Sequence, residues 1–455
     1  MDVKENNLKK GCDENLISMA KIIQSLLLEN GVEADIMHIR QGPRLNHVVL
    51  SLKAGFRYNS IIRLQNEIQL ALNVSALRIE APIPGYDLIG LEFPRKDPEE
   101  VTYQNTTVVK LDMLKAYGSK VKLPIVIGRD VEGVIRSADL VDAPHLLVGG
   151  ARGQGVSQFM HSMICGLIFS RSPDELQLLM VDPCGVELAP YAGLPHLAVS
   201  VIKDRRKIVF ALHWAVAEME RRLLMFAKAR VRNIADFVSR DPNMSESDLF
   251  SDDIPMDDMP ATVPYIVIVL NGIDDVIETV GEEIMFDIAR LTARGRASGI
   301  HVVVISERSE AIGDFATFKY NIPMRVALKT DTETWSEMVI DEKGAERLLG
   351  DGDGLAQLRD GIIRRIQTPA ITNKEIESVV AEAIRRGYTE KYGATKMVEK
   401  MITIGEDDLE VLECVADKKR IMPETLILDI VHDHVIKMKG GKAWNNAMQD
   451  SAIWL

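Results

Sequence analysis

Two features of the sequence predict an α/β protein built on a parallel sheet with helices on both faces. The first is a series of short apolar runs, HLLVGG (145–150), LQLLMVD (176–182), PYIVIVL (264–270), GIHVVVIS (299–306) and MRVALKT (324–330), separated by helical stretches. These runs are continuously apolar instead of alternating, so both sides of each strand are covered, which is the mark of a parallel sheet between helical layers. The second is a glycine-rich segment, GGARGQG (149–155), that leaves the first of these runs and enters a helix. Ligands in such folds sit at the carboxyl ends of the strands.

Taken in order, the chain starts with a polar tail, 1–14, and a small α+β domain, 15–100. NLISMAKIIQSLLLEN (15–30) repeats apolar residues at three- and four-residue steps, with Asn15 as a cap and Gly31 as a stop, so it predicts a helix. HVVLSLK (47–53) alternates like a half-buried strand, RYNSIIRLQNEIQLALNV (57–74) returns to helical period, and ALRIEAPI (76–83) and DLIGLEF (87–93) predict strands around an IPG turn. The core domain, 101–385, carries the apolar runs, with helices over 157–170, 206–228 and 281–296. Within it, residues 241–260 hold seven Asp or Glu and no Lys or Arg, a composition that favours a solvated acidic loop. The last unit, 386–455, is mainly helical: DDLEVLECVADKKR and PETLILDIV flank a Pro turn, and a KGGK loop (439–442) follows. DKKR (417–420) and KMKGGK (437–442) add positive charge there. Trp444 and Trp454 serve either to stack on a ligand or to close a small core, and His432 and His434 have no companion metal ligands in view.

Composition narrows the function classes. With 455 residues, 46% hydrophobic and 27% charged, the chain is an ordinary globular protein with room for several domains. No apolar run reaches the roughly 18 residues a spanning helix requires, and the N-terminus has no signal-peptide pattern, so no membrane association is expected. Cys12, Cys165, Cys184 and Cys414 are scattered without CxxC spacing, which argues against a zinc site or disulfide framework and for a reduced, cytoplasmic setting. A net charge of −13 excludes a surface broadly coated for nucleic acid, though not a confined basic channel.

The glycine-rich segment fits G-x-x-x-x-G-K-[ST], the P-loop spacing, from Gly150 through Arg152, Gly153 and Gly155 to Ser157, with one departure: Val156 stands at the lysine. GPRLNHVVLSLKAGFRYNSIIRLQNEIQLAL, IPGYDLIGLEFPRK, LPIVIGRDVEG, APHLLVGGARGQGVS, VDPCGVELAPYAGLPHL, AVAEMERRLLMFAKARVRNIADF, RASGIHVVVISER, YNIPMRVALKT and KGAERLLGDGDGL follow one another as in the FtsK/SpoIIIE family of hexameric double-stranded DNA translocases. The resemblance covers most of 15–385. It implies a small ring-forming domain followed by a RecA-like P-loop motor domain; at 386–455, the place of the family's winged-helix module, the likeness is weak.

Carried over position by position, the resemblance implies a damaged catalytic site. A valine at 156 can neither pair with nor donate to the β- and γ-phosphates. The Walker B strand YIVIVL ends in Asn271–Gly272 where the family has Asp–Glu, so a metal-holding charge and a water-polarising carboxylate are both missing. At the family's Thr-Gln-Arg sensor stand Ser306, Glu307 and Arg308, and Glu307 would set a negative charge near the γ-phosphate. A positioned base is worth roughly 10²–10⁴-fold and charge stabilisation of a transferring phosphoryl about 10³–10⁵, so losing either should leave little turnover. The expectation is therefore no intact catalytic residue, no metal and no cofactor, with ATP and Mg2+ bound only if Gly150, Arg152, Gly153, Gly155, Ser157 and the helix N-terminus retain an anion. Arg152, Asp274 and Asp275 are the residues that could replace the lost cation and metal ligands. Otherwise Arg152 is a surface arginine and the two acids complement a helix dipole.

Lys228, Arg230 and Arg232 match the family's channel loops and are the expected contacts to duplex phosphates; alternatively they complement a helix C-terminus. Arg294 and Arg296 are candidates for inter-subunit contacts. The sequence thus predicts a self-assembling ring, a hexamer by resemblance, that binds or encircles duplex DNA and has lost ATP hydrolysis. Two alternatives are kept: a structural or protein-binding scaffold without DNA, and an active translocase that uses non-standard residues or an intact FtsK-like paralogue as partner subunit.

Overall fold

A computed structural model describes residues 14–83, 85–116, 118, 120–240, 260, 262–281, 283–307 and 316–385. The tail before Glu14, the acidic segment before Pro260, Arg308 and the unit 386–455, with its histidines and tryptophans, lie outside the described residues. Thirteen strands are present among them: β1 (Ala34–Gln41), β2 (Leu45–Leu52), β3 (Arg78–Glu80), β4 (Ile89–Pro94), β5 (Pro124–Asp130), β6 (Ile135–Asp139), β7 (Leu146–Gly149), β8 (Leu176–Val181), β9 (Tyr265–Leu270), β10 (Ile300–Ser306), β11 (Met324–Leu328), β12 (Asp353–Gln357) and β13 (Ile363–Gln367). The chain divides into two compact units. One comprises Met1–Arg171, Ile305–Phe315 and Ile322–Glu382, and the other Ser172–Val304, Ala316–Asn321 and Ala383–Leu455.

The first unit contains two sheets. The smaller is antiparallel, in the order β1-β2-β4-β3. The helix Glu14–Glu29 buries Leu16, Ala20, Ile23 and Leu27 in a common core with Val48, Leu50, Leu91 and Phe93. Each of these side chains larger than alanine contributes about 1.5–3 kcal/mol when fully buried. Strand β1 is not signalled in the sequence because a bulge between Ile36 and His38 breaks its alternation, which leaves Met37 exposed. The predicted single helix over 57–74 is two, Asn59–Ile62 and Gln65–Leu72, and the second ends on Asn73 in the left-handed conformation. Only Arg78–Glu80 of the expected strand 76–83 pairs.

The larger set of strands in this unit runs β6-β5-β13-β12-β11-β7. β7 and β11 pair in parallel, as the apolar runs predict, whereas β11-β12, β12-β13, β13-β5 and β5-β6 are antiparallel. The sheet is therefore mixed rather than wholly parallel. In DGLAQ and IRRIQ, polar and charged residues interrupt the apolar pattern, and no long buried run announces them.

Where these sheets share unit 1, a buried ion cluster forms. Glu92 of β4 meets Arg78 and Arg365 at 3.1 Å each, and Arg365 also holds Asp353 at 2.6 and 3.0 Å. Burial would push the Glu92 carboxyl up, but the two guanidiniums outweigh it and hold the group at about 2.

The second unit holds β10-β9-β8, all parallel and fully buried at Leu178, Val267 and Val303. Around them run the helices Arg205–Lys228, Ile273–Val280 and Glu283–Ser298. The helix expected over 281–296 starts after Gly281, which ends a separate helix at φ 99°. Arg222, 2% exposed, is satisfied by Glu218 at 2.7 Å and by the carbonyls of Pro264 and Ser298 at 2.8 and 3.1 Å. Among the described residues no helix is long and apolar enough to cross a membrane.

Candidate functional site

Strand β7 ends at Gly149, and the loop behind it is anchored at both ends before the helix Val156–Ser170 begins. Gly150 N–H donates to the Ser306 carbonyl (3.2 Å), Ala151 N–H to that of Lys329 (2.7 Å), and the Gln154 carbonyl accepts from Gly352 N–H (2.9 Å). Two glycines are structurally required. Gly155 has φ 101°, and a Cβ there would lie 2.9 Å from the Gly352 backbone; Gly150 would bring one within 2.9 Å of Val156 Cγ2. The first-turn amides of Val156, Ser157 and Gln158 have no intrahelical acceptor, as at every helix start. The scaffold of a phosphate loop is therefore present.

Its side chains point to different chemistry. Val156 is 2% exposed and turned inward against Gly150. Ser157 Oγ–H donates to Glu307 Oε1 at 3.2 Å, and Arg152 Nε lies 3.9 Å from Glu307 Oε2, with the arginine largely in solvent. Glu307 follows directly on β10, and the structure thus brings Arg152, Ser157 and Glu307 together. Beside them opens a cavity of about 480 Å3, within the roughly 300–1,000 Å3 typical of small-molecule sites. Among the described residues its charged lining is four carboxylates, Glu99, Glu100, Glu307 and Asp351, and one guanidinium, Arg44. Arg44 donates to the Asp351 carbonyl at 3.0 Å, Gln367 Nε2 to the same carbonyl at 2.7 Å, and Arg129 pairs with Glu99 at 2.7 Å. Sequence reasoning did not find Arg44, Glu99, Asp351 or Gln367. They are far apart in the chain and belong to no local motif.

The Walker B positions lie in the second unit. Asn271 follows β9 and its N–H donates to Val181 O at 3.0 Å. Gly272 is left-handed, φ 63° and ψ 59°, and caps the helix Ile273–Val280. Of the acids suggested as replacement metal ligands, Asp274 is 3% exposed, and Asp275 Oδ2 accepts from Cys184 Sγ at 3.6 Å. Among the described residues no group of three or more His, Cys, Asp or Glu is placed to hold a metal. The Ser157 hydroxyl is bonded to a carboxylate, and among the described residues the charged wall of the cavity is mostly acidic.

Lys228 is the last residue of the helix Arg205–Lys228, and Lys228, Arg230 and Arg232 are all exposed. Arg230 takes φ 54°, so the chain reverses sharply there before the helix Ile234–Ser239. Arg294 lies 3.9 Å from Glu220, which Arg290 holds at 2.5 Å; Arg296 is in the last turn of the same helix, Glu283–Ser298.

Residues 112–311 match the model described as FtsK/SpoIIIE family, and residues 1–95 the one described as FtsK alpha domain. A DNA translocase FtsK of Clostridium acetobutylicum is 33% identical over 403 residues, covering 88% of this chain and 50% of that protein. One of Agrobacterium fabrum is 32% identical over 425 residues, covering 89% and 46%. The chain thus spans about half the length of the curated relatives it matches. Among solved structures, that of the pCW3 conjugation coupling protein TcpA, a monomer form with ATPgS, shares the fold at TM-score 0.54 and 17% identity, covering 82% of this chain and 99% of that one. The P-loop scaffold, the α/β core and these matches together show that the chain belongs to the FtsK/SpoIIIE family.

Proposed function

We propose that this protein is a ring-forming member of its family that binds or encircles double-stranded DNA without hydrolysing ATP. The observation that carries the proposal is a retained phosphate loop whose chemistry is replaced at four positions at once: Val156, Asn271, Gly272 and Glu307. Losing one catalytic group of this kind costs orders of magnitude, and groups that act as a unit do not recover when one survivor remains. The relatives' name, DNA translocase, supports a DNA substrate. So does the exposure of Lys228, Arg230 and Arg232 at a helix end. Such contacts meet phosphates and read no sequence. Self-association into a ring, a hexamer in this reading, and co-assembly with an intact paralogue rest on family membership.

The test is ATP hydrolysis by the purified protein with and without long linear duplex DNA, beside an intact family member. No turnover above background is expected, and DNA-stimulated turnover would overturn the proposal. A parallel binding assay at moderate salt tests the DNA arm. Duplex binding that is lost when Arg230 and Arg232 are both changed to Glu supports it. No duplex binding at all favours the scaffold reading, which the net charge of −13 also favours.

A further inference from the structure

The carboxylate of Glu307 faces the hydroxyl and the arginine of the phosphate loop. A loop of this kind offers first-turn amides, a hydroxyl and a cation to a phosphate and its metal. Here the hydroxyl is Ser157 and the only basic side chain of the loop is Arg152, and each faces one oxygen of the same carboxylate, at 3.2 and 3.9 Å. The carboxylate is tethered to the end of β10, and Gly150 of the loop is hydrogen-bonded to the residue before it, Ser306. Its concentration at the loop is therefore fixed by the fold. A free anion must still lose the translational freedom that a tethered group has already lost.

We propose that Glu307 is the protein's own substitute for phosphate: it occupies the anion position of the loop from within and is the residue that makes the cavity refuse nucleotides. This rests on reading the loop as a former nucleotide site. It goes beyond loss of catalysis, because Val156, Asn271 and Gly272 explain why nucleotide would not be hydrolysed but leave the backbone amides able to bind it. On this proposal the loop keeps its shape without ligand, since the contacts that order it are internal.

The experiment is thermal denaturation of the full chain with inorganic pyrophosphate, with and without Mg2+, in the natural protein and in Glu307→Gln. Glutamine keeps an oxygen to accept from Ser157 and removes only the charge. The natural protein should show no pyrophosphate-dependent rise in Tm, and E307Q should show a saturable one, since a ligand of the folded state alone must raise it. The expected gain in affinity is between about fivefold and about a thousandfold, the range that one unit charge at ~4 Å spans from water to a half-buried site. Glu307→Ala serves as a second variant and should behave as E307Q. A saturable shift of equal size in the natural protein would overturn the proposal, because the carboxylate would then exclude nothing. Absence of a shift in all three proteins would also overturn it, placing the exclusion elsewhere in the cavity while leaving the ATPase reading intact. ATP turnover by the natural protein would instead remove the reading on which it rests.

Discussion

At position 155 the backbone conformation and the space both require glycine. Gly155→Ala would put a non-glycine residue at φ 101° and a Cβ 2.9 Å from the Gly352 backbone, so it should destabilise the first unit by at least about 1–3 kcal/mol in urea unfolding. Position 272 behaves differently. A glutamate placed there to rebuild the family's acid would sit at φ 63°, ψ 59°, a region costing a non-glycine residue about 1–2 kcal/mol. Gly272→Glu should therefore lower stability by that amount and restore no turnover, which urea denaturation and an ATPase assay check together. The spacing of the loop was legible in the sequence, because the phosphate loop is a short local motif. The partners of the loop were not. Ser157 and Glu307 are 150 residues apart, and nothing local to Glu307 announces which hydroxyl it will bind.

The elements differ in how openly they declare themselves. Strands β7, β8, β9 and β10 are mostly apolar and almost wholly buried, so their runs stand out in the sequence. β12 and β13 carry Asp353, Arg364 and Arg365, and they fold as strands because pairing partners and buried counter-charges are supplied from elsewhere in the first unit. That dependence can be measured. Glu92→Ala would leave Arg78 without its buried partner and Arg365 with only Asp353, and a broken buried pair costs about 3–5 kcal/mol. Urea unfolding should show a loss of that size. At the C-terminal end of the helix Arg205–Lys228 the expected loss is of another kind. Each phosphate contact removed from Lys228, Arg230 or Arg232 should flatten the salt dependence of duplex binding by about 0.9 in log K against log salt. For Lys228 and Arg232 stability should change little, since both side chains are exposed.

For the whole molecule, two carboxylates clamped by arginines set a response to acid. Glu92 in the first unit and Glu218 in the second are each held at about 2; burial opposes this, and Arg78 with Arg365, or Arg222 with Arg221, overcome it. Both folded values lie below the ordinary 4.5, so their contribution is complete above pH 4.5 and is lost as pH falls toward 2. Each shift corresponds to about 3 kcal/mol. Acid unfolding followed by circular dichroism should fall within that window, and Glu92→Gln should remove much of the first unit's share.

The ion pair between Glu92 and Arg365 also has a consequence for how the chain is made. The two residues are 273 positions apart. Synthesis runs from the N-terminus, so β4 emerges with Arg78 to pair its carboxylate but long before the second guanidinium, Arg365, and all of Ser172–Val304 is made in between. The small antiparallel sheet must therefore wait in an incomplete state, with Arg78 alone beside Glu92, while the middle of the chain folds around β8, β9 and β10. The last residues of the first unit to leave the ribosome are those that complete it. A nascent chain arrested before β12 should expose its first unit to protease, whereas one arrested beyond Glu382 should not.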